Sequence, residues 1–151
     1  MSRKVNIRNR KATYEYQFID KYIAGIILLG TEIKSIRNNQ ANLSDAHCVF
    51  VKNELFLRNL HIAKYNSGGY SNHTPKRERK LLLNRQELNK ILTKAKEKGN
   101  TIIPTRLFIN EKGKAKLEIA LAKGKKIHDK RESIKAKDLK RDIEREQSLK
   151  K

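Results

Sequence analysis

Arginine and lysine gather at two places in this chain, with a spacing that suits phosphate. Lys76-Arg77-Glu78-Arg79-Lys80 stands between a Gly-containing loop and the apolar triplet Leu81-Leu82-Leu83. A guanidinium fork grips a phosphate at two points, and an ammonium acts as a point charge. Lys76 and Arg77 are therefore read as phosphate contacts, against the plainer alternative of a solvated charge run. The second group is Lys125-Lys126-Ile127-His128-Asp129-Lys130-Arg131. Flanked by cations where a helix would begin, the His128 imidazole has the chemistry to stack on a base. Tyr14, Tyr16, Tyr22, Tyr65 and Tyr70 are the other candidate stacking faces. Tyr14 and Tyr16 are assigned to the core, while Tyr65 and Tyr70, in the loop, are freer.

Catalytic constellations are missing from the sequence. Cys48 lies in an apolar, strand-like segment, the setting of an inert core thiol. His47, His61, His73 and His128 show no metal-ligand spacing, and no second cysteine exists to complete a zinc site. Gly68-Gly69 lacks the Gly-Lys-Ser/Thr that completes a phosphate-binding loop. Nothing in their spacing makes Glu32 and Asp45 a metal pair. The expectation is a binding protein with no catalytic residue, no metal and no cofactor.

Composition gives the sign of the partner. Lys plus Arg number 36 against 16 Asp plus Glu, a formal net charge of +20 on 151 residues. Residues 13–74 are nearly balanced, with 6 basic and 5 acidic side chains, so the excess lies elsewhere. Charge of this size costs self-repulsion and points to a polyanion, whose neutralised phosphates release counterions. RNA, DNA and an anionic membrane surface all fit charge alone. No apolar run approaches the roughly 18 residues of a membrane span, and no apolar stretch follows the basic N-terminus as in a secretory signal. The single cysteine suits a reducing cytoplasm.

The elements that must position these groups are legible in part. Hydrophobic residues make up 37% of the chain, enough for one modest core. Tyr14, Tyr16 and Phe18 alternate with polar residues as in a half-buried strand. Ala24-Gly25-Ile26-Ile27-Leu28-Leu29 reads as a buried strand ending at Gly30. Thr31 is placed to cap a short helix carrying Ile33 and Ile36. Residues 46–51 and 55–60 form a hairpin around Lys52-Asn53-Glu54. Asn84 to Lys98 is the clearest helix: Asn84 is the N-cap, Glu87 completes a capping box, and Leu88, Ile91, Leu92 and Ala95 make one stripe. Gly99 stops it. Residues 101–109 and 114–121 form a second hairpin, with Pro104 marking an edge or a bulge. The count is about six strands and two helices before the tail. Short antiparallel strands with one good helix suit a small closed barrel, the oligonucleotide-binding (OB) fold being one of several candidates. From residue 124 onward, 11 basic and 6 acidic side chains surround few apolar ones. That tail is expected to be disordered alone and helical on a partner.

The ordered series of local motifs resembles the bacterial small protein B (SmpB) family of SsrA-binding proteins, which act with transfer-messenger RNA (tmRNA) in trans-translation. The resemblance runs from Asn9 to about Ile134. It rests on Asn9-Arg10-Lys11-Ala12, Gly25-Ile26, Gly30-Thr31-Glu32-Ile33-Lys34-Ser35, Ala41-Asn42-Leu43 and Asn59-Leu60-His61-Ile62. It continues through Asn72-His73-Thr74-Pro75-Lys76-Arg77, Arg79-Lys80-Leu81-Leu82-Leu83, Gly124-Lys125-Lys126 and Asp129-Lys130-Arg131.

The resemblance implies a mainly β protein: a six-stranded antiparallel barrel of OB type with about three helices and a disordered basic C-terminal tail. It divides the chain into a basic flexible N-terminus (1–12), a barrel domain binding RNA (13–123) and the tail (124–151). It implies RNA-binding roles for Glu32, within the Gly30–Ser35 motif, and for Leu82, Asn84 and Lys116; Lys34 of the same motif is also expected to bind RNA. Bottom-up, Glu32 is an odd partner for phosphate. A carboxylate can accept from base amino groups or 2′-hydroxyls, or hold a neighbouring lysine. Asn84 carries two assignments, helix cap and RNA contact. In the tail, Gly124, Lys125, Lys126, His128, Asp129, Lys130 and Arg131 are implied to enter the decoding centre and the empty mRNA channel. The expected partners are tmRNA and the stalled ribosome with its small-subunit RNA, with no membrane, for a protein monomeric when free and cytoplasmic. The alternative is a general structured-RNA-binding or ribosomal structural protein.

Overall fold

The computed structural model describes residues 5–65 and 72–124. Nine strands and three helices follow in the order β1 (Asn6–Arg8), α1 (Arg10–Glu15), β2 (Tyr16–Ile26), α2 (Gly30–Arg37), β3 (Ala41–Asn42), β4 (His47–Val51), β5 (Glu54–Arg58), β6 (His61–Ile62), β7 (Arg79–Leu82), α3 (Arg85–Ala95), β8 (Asn100–Ile109) and β9 (Ala115–Gly124). Six of the strands close on themselves in the ring β8-β4-β5-β7-β2-β9, because β9 also pairs with β8. Every pairing is antiparallel. Closure removes the open sheet edges that would otherwise invite association. The small antiparallel barrel expected from the sequence is thus present. The shorter β1, β3 and β6 bring the strand count from about six to nine.

Period-two alternation fills the barrel. Leu55 and Leu57 of β5, Leu81 of β7, Leu107 of β8, and Leu117 and Ile119 of β9 all point inward and are buried. Ile36 from α2 and Ile91 from α3 close the same cluster. The Asn84 side chain accepts the Glu87 N–H at 2.8 Å, so α3 begins where the capping pattern places it. The helix ends at Ala95, three residues short of the expected Lys98. Gly99 then adopts φ +86°, a conformation that favours glycine. Lys94 reaches Asp20 on β2 and ties α3 to the wall. Lys52 and Asn53, both at positive φ, turn β4 into β5. Pro104 sits at a register shift between β8 and β9, the bulged alternative of the two expected.

Three features differ from the sequence reading. Residues 5–12 are folded, not flexible: Val5 and Ala12 are buried and β1 pairs with β8. Buried Asn9 anchors the segment, donating to the carbonyls of Pro104 (2.8 Å) and Leu43 (3.3 Å). The Asn9 Oδ1 also accepts the Ala12 N–H and caps α1, a helix the alternating pattern hides. Tyr14 therefore lies on a helix, 75% exposed, rather than in the core. Finally, the apolar run 24–29 is not a strand buried on both faces. Ala24 is buried, but Ile27 and Leu29 are exposed, as is Ile23 before it.

Candidate nucleic-acid interface

Exposed apolar residues on the barrel strands include Ile23 of β2 and Leu82 of β7. Directly paired residues of antiparallel strands project from the same side of a sheet. Gly25 of β2 pairs with Leu82 of β7 on one flank and with Lys116 of β9 on the other. Lys116 in turn pairs with Phe108 of β8. Leu82, Gly25, Lys116 and Phe108 thus form one outward row about 14 Å wide at normal strand spacing. Leu82 is 50% exposed, although its neighbour Leu81 is core. The next row carries Ile23, Glu118, Arg106 and Arg8. The Arg106 guanidinium lies over the Phe108 ring, 4.2 Å from its centroid, and binds Glu118 at 3.5 Å. An open cleft of about 500 Å³ adjoins this row, with Arg8, Arg10, Lys21 and Arg106 among its lining.

A buried ion cluster joins α2 to β7. Glu32 and Arg79 both have fully buried side chains. One Glu32 carboxylate oxygen accepts the Leu29 N–H and Arg77 Nη2, each at 2.7 Å; the other accepts Arg79 Nε. Arg79 also donates to the carbonyls of Leu60 (2.6 Å) and Pro75 (3.1 Å). Every Arg79 nitrogen therefore has an acceptor, as a buried guanidinium requires. Burial raises the Glu32 pKa, but the Arg77 hydrogen bond, the Leu29 N–H and the Arg79 charge outweigh it and hold the carboxyl below its ordinary value. Arg77 is a third exposed, and its Nη2 also reaches the Ile27 carbonyl at 3.3 Å. Beside this cluster, His73 bridges Thr31 Oγ1 and the Ile62 carbonyl, both at 2.9 Å.

The structure thus sorts the residues singled out in the sequence. Leu82 and Lys116 share one outer row. Lys76 is exposed; Arg77 is partly so, with its Nη2 engaged by Glu32 and the Ile27 carbonyl. Arg79 is not available: its place in the basic cluster suggested surface, but it alternates inward with Leu81. Glu32 is not a surface contact either. Its partners are two arginines rather than a lysine, because α2 begins two residues earlier than a Thr31 cap would allow and Glu32 turns inward to accept the Leu29 N–H. Lys34 is exposed on α2, with its ammonium 5.3 Å from the Tyr65 ring centroid. The Asn84 side chain is engaged as the α3 cap. Gly124 ends β9, paired with Tyr16. Lys125, Lys126, His128, Asp129, Lys130 and Arg131 lie outside the described residues, as do Gly68, Gly69 and Tyr70. Sequence reasoning missed Arg79, Gly25, Arg106 and Phe108. Only the alternation across residues 79–82 and a glycine inside a strand could have flagged the first two.

Cys48 is buried, and burial pushes its thiol pKa up, the opposite of a nucleophile's environment. Among the described residues, no group of three or more His, Cys, Asp and Glu could hold a metal ion, and no helix is long and apolar enough to cross a membrane.

A closed antiparallel barrel with an apolar and cationic outer row has the form of a nucleic-acid-binding module. The comparisons with known proteins specify which. The family model described as SmpB protein matches residues 6–149. The SsrA-binding protein of Bacteroides thetaiotaomicron is 60% identical over 141 residues, covering 93% of this chain and 94% of the relative. That of Phocaeicola vulgatus is 58% identical with the same coverage, and that of Wolbachia pipientis is 46% identical over 142 residues, covering 94% and 95%. A chain from a solved structure described as "tmRNA-SmpB: a journey to the center of the bacterial ribosome" superposes with a TM-score of 0.72 at 41% identity, covering 86% of this chain and 94% of that one. The chain belongs to the SmpB family.

Proposed function

We propose that the chain is an RNA-binding ribosome-rescue factor of trans-translation. It binds the tRNA-like domain of tmRNA and brings it to stalled ribosomes in the bacterial cytoplasm, acting as a binder rather than a catalyst. The observation that carries this reading is the likeness, along nearly its whole barrel, to the SmpB chain of the tmRNA structure. The outer row holding Leu82 and Lys116, together with the solvent-facing Lys76 and the partly exposed Arg77, supports the barrel as the RNA-gripping part. Glu32 contributes from beneath by holding Arg77 and Arg79. The tail beyond Gly124 then probes the decoding centre and the vacant mRNA channel through Lys125, Lys126, His128, Asp129, Lys130 and Arg131. A channel filled with mRNA excludes it.

Affinity for the isolated tRNA-like domain, against ordinary tRNA and a length-matched hairpin at about 0.2 M salt, tests the first part. A preference of about 10³ or more is expected. Equal, salt-sensitive binding to all three would instead identify a general basic RNA binder. For the tail, a chain ending at Gly124 is expected to keep RNA affinity and lose tagging of stalled products. Tagging by the truncated chain would refute the probing role.

A further inference from the structure

Gly25 is the tenth residue of the 11-residue β2, paired on both sides, with no backbone conformation that calls for glycine. A glycine inside a strand gives up side-chain packing and costs folding entropy, and commonly marks a place where another group approaches the backbone closely. The neighbours of Gly25 indicate what that group is. Leu82 beside it offers a half-exposed apolar face, and Lys116 on the other flank offers a cation. One strand further on, Arg106 lies stacked on Phe108. A floor of bare peptide between an apolar side chain and an ammonium fits a flat ring attached to a phosphate.

We infer that Gly25 is an RNA contact: an unstacked nucleotide lies flat on the β2 backbone at Gly25, its base or ribose against Leu82 and its phosphate toward Lys116. This rests on the RNA-binding reading above and names the spot on the barrel that the nucleotide occupies. Bases free of a helix are the ones that proteins can receive in this way, since A-form pairing hides their faces. A side chain at residue 25 would occupy the floor itself. A Cβ built there lies 3.3 Å from Leu82 Cβ, so Gly25 also sets how closely Leu82 approaches β2. The inference must therefore be separated from mere room for Leu82.

The experiment measures affinity of the full chain for the tRNA-like domain of tmRNA, with thermal midpoints alongside, for the unaltered protein, Gly25→Ala, Leu82→Gly and the double variant. Gly25→Ala is expected to bind roughly tenfold or more weakly, the scale of one lost base contact, with a midpoint unchanged or raised. In the Leu82→Gly background, where the crowding Cβ is gone, Gly25→Ala is expected to weaken binding again, because the floor is still blocked. Affinity within twofold for Gly25→Ala, or an effect that vanishes once Leu82 is shortened, would overturn the inference. A fall in affinity matched by a lowered midpoint would overturn it too, as the mark of a packing role. Failure of the RNA-binding reading would look different, since the unaltered protein would itself show no preference for the tRNA-like domain.

Discussion

Replacing Arg79 with methionine should cost about 3 kcal/mol of stability. Methionine fills much of the space but returns none of the hydrogen bonds. Arg79 donates to Glu32, Leu60 and Pro75 in the interior. The Pro75 carbonyl keeps the Ile62 N–H, and Glu32 keeps Arg77 and the Leu29 N–H. What remains uncompensated is one half of a buried carboxylate and the Leu60 carbonyl. Breaking a buried pair from one side costs about 3–5 kcal/mol, and the surviving Arg77 contact places this case at the low end. With a urea m-value of about 2 kcal/mol/M, the midpoint should fall by about 1.5 M with the slope unchanged. Arg58→Met is the internal control. Its pair with Glu78 is 2.6 Å long but nearly half exposed on both sides, so it should cost less than about 1 kcal/mol. Adding Glu32→Gln to Arg79→Met should cost less than the two single losses summed, since the second change removes the stranded charge. A loss below about 1 kcal/mol for Arg79→Met, or equal losses at Arg79 and Arg58, would refute the argument that burial makes this pair important.

Two further outcomes follow from the same geometry. The Glu32 carboxyl is held below its ordinary 4.5 in the folded state, so the unfolded chain binds the extra proton. Its stabilisation is complete above that ordinary value and is lost as pH falls through the lower folded one. Denaturation midpoints taken from neutral pH down to about 3 should therefore fall more steeply for the unaltered protein than for Glu32→Gln, and parallel curves would contradict the assignment. Asn84→Ala should cost about 1 kcal/mol through the lost α3 cap, while Asn84→Ser should restore both stability and RNA affinity. If serine rescues stability but not RNA binding, the Asn84 side chain touches RNA as well as the helix.

The parts legible in the sequence were those set by local chemistry. Asn84 with Glu87 announces a helix start whatever surrounds it, and the apolar stripe that follows requires a core. Strand alternation in 115–121 determines which side of β9 faces inward. Asn9 shows where such reading stops. Its side chain caps α1 and holds carbonyls 34 and 95 residues away, and only the second role explains why the basic N-terminal segment folds. Arg79 is the same case in reverse. A cationic run reads as surface until the partner, Glu32, is brought in from 47 residues upstream. Gly25 could be seen as a glycine in an apolar run, but its two flanking strands come from distant stretches of sequence. The row Leu82, Gly25, Lys116 therefore exists only once the barrel closes.

Closure also determines how far apart the two halves of the proposed function act. Lys116 lies near the start of β9 and Gly124 at its end, eight residues on, a span of about 27 Å at strand rise. β9 is paired along both sides, with β2 from Gly25 to Tyr16 and with β8 from Ile109 to Asn100. The strand that carries a residue of the RNA-facing row is thus the one that launches the tail, at the opposite end of the barrel. A strand paired on both edges is held along its length, so the position of Gly124 is tied to that of the row holding Lys116. That is the arrangement needed if RNA held at one end is to orient a segment that tests an empty channel at the other.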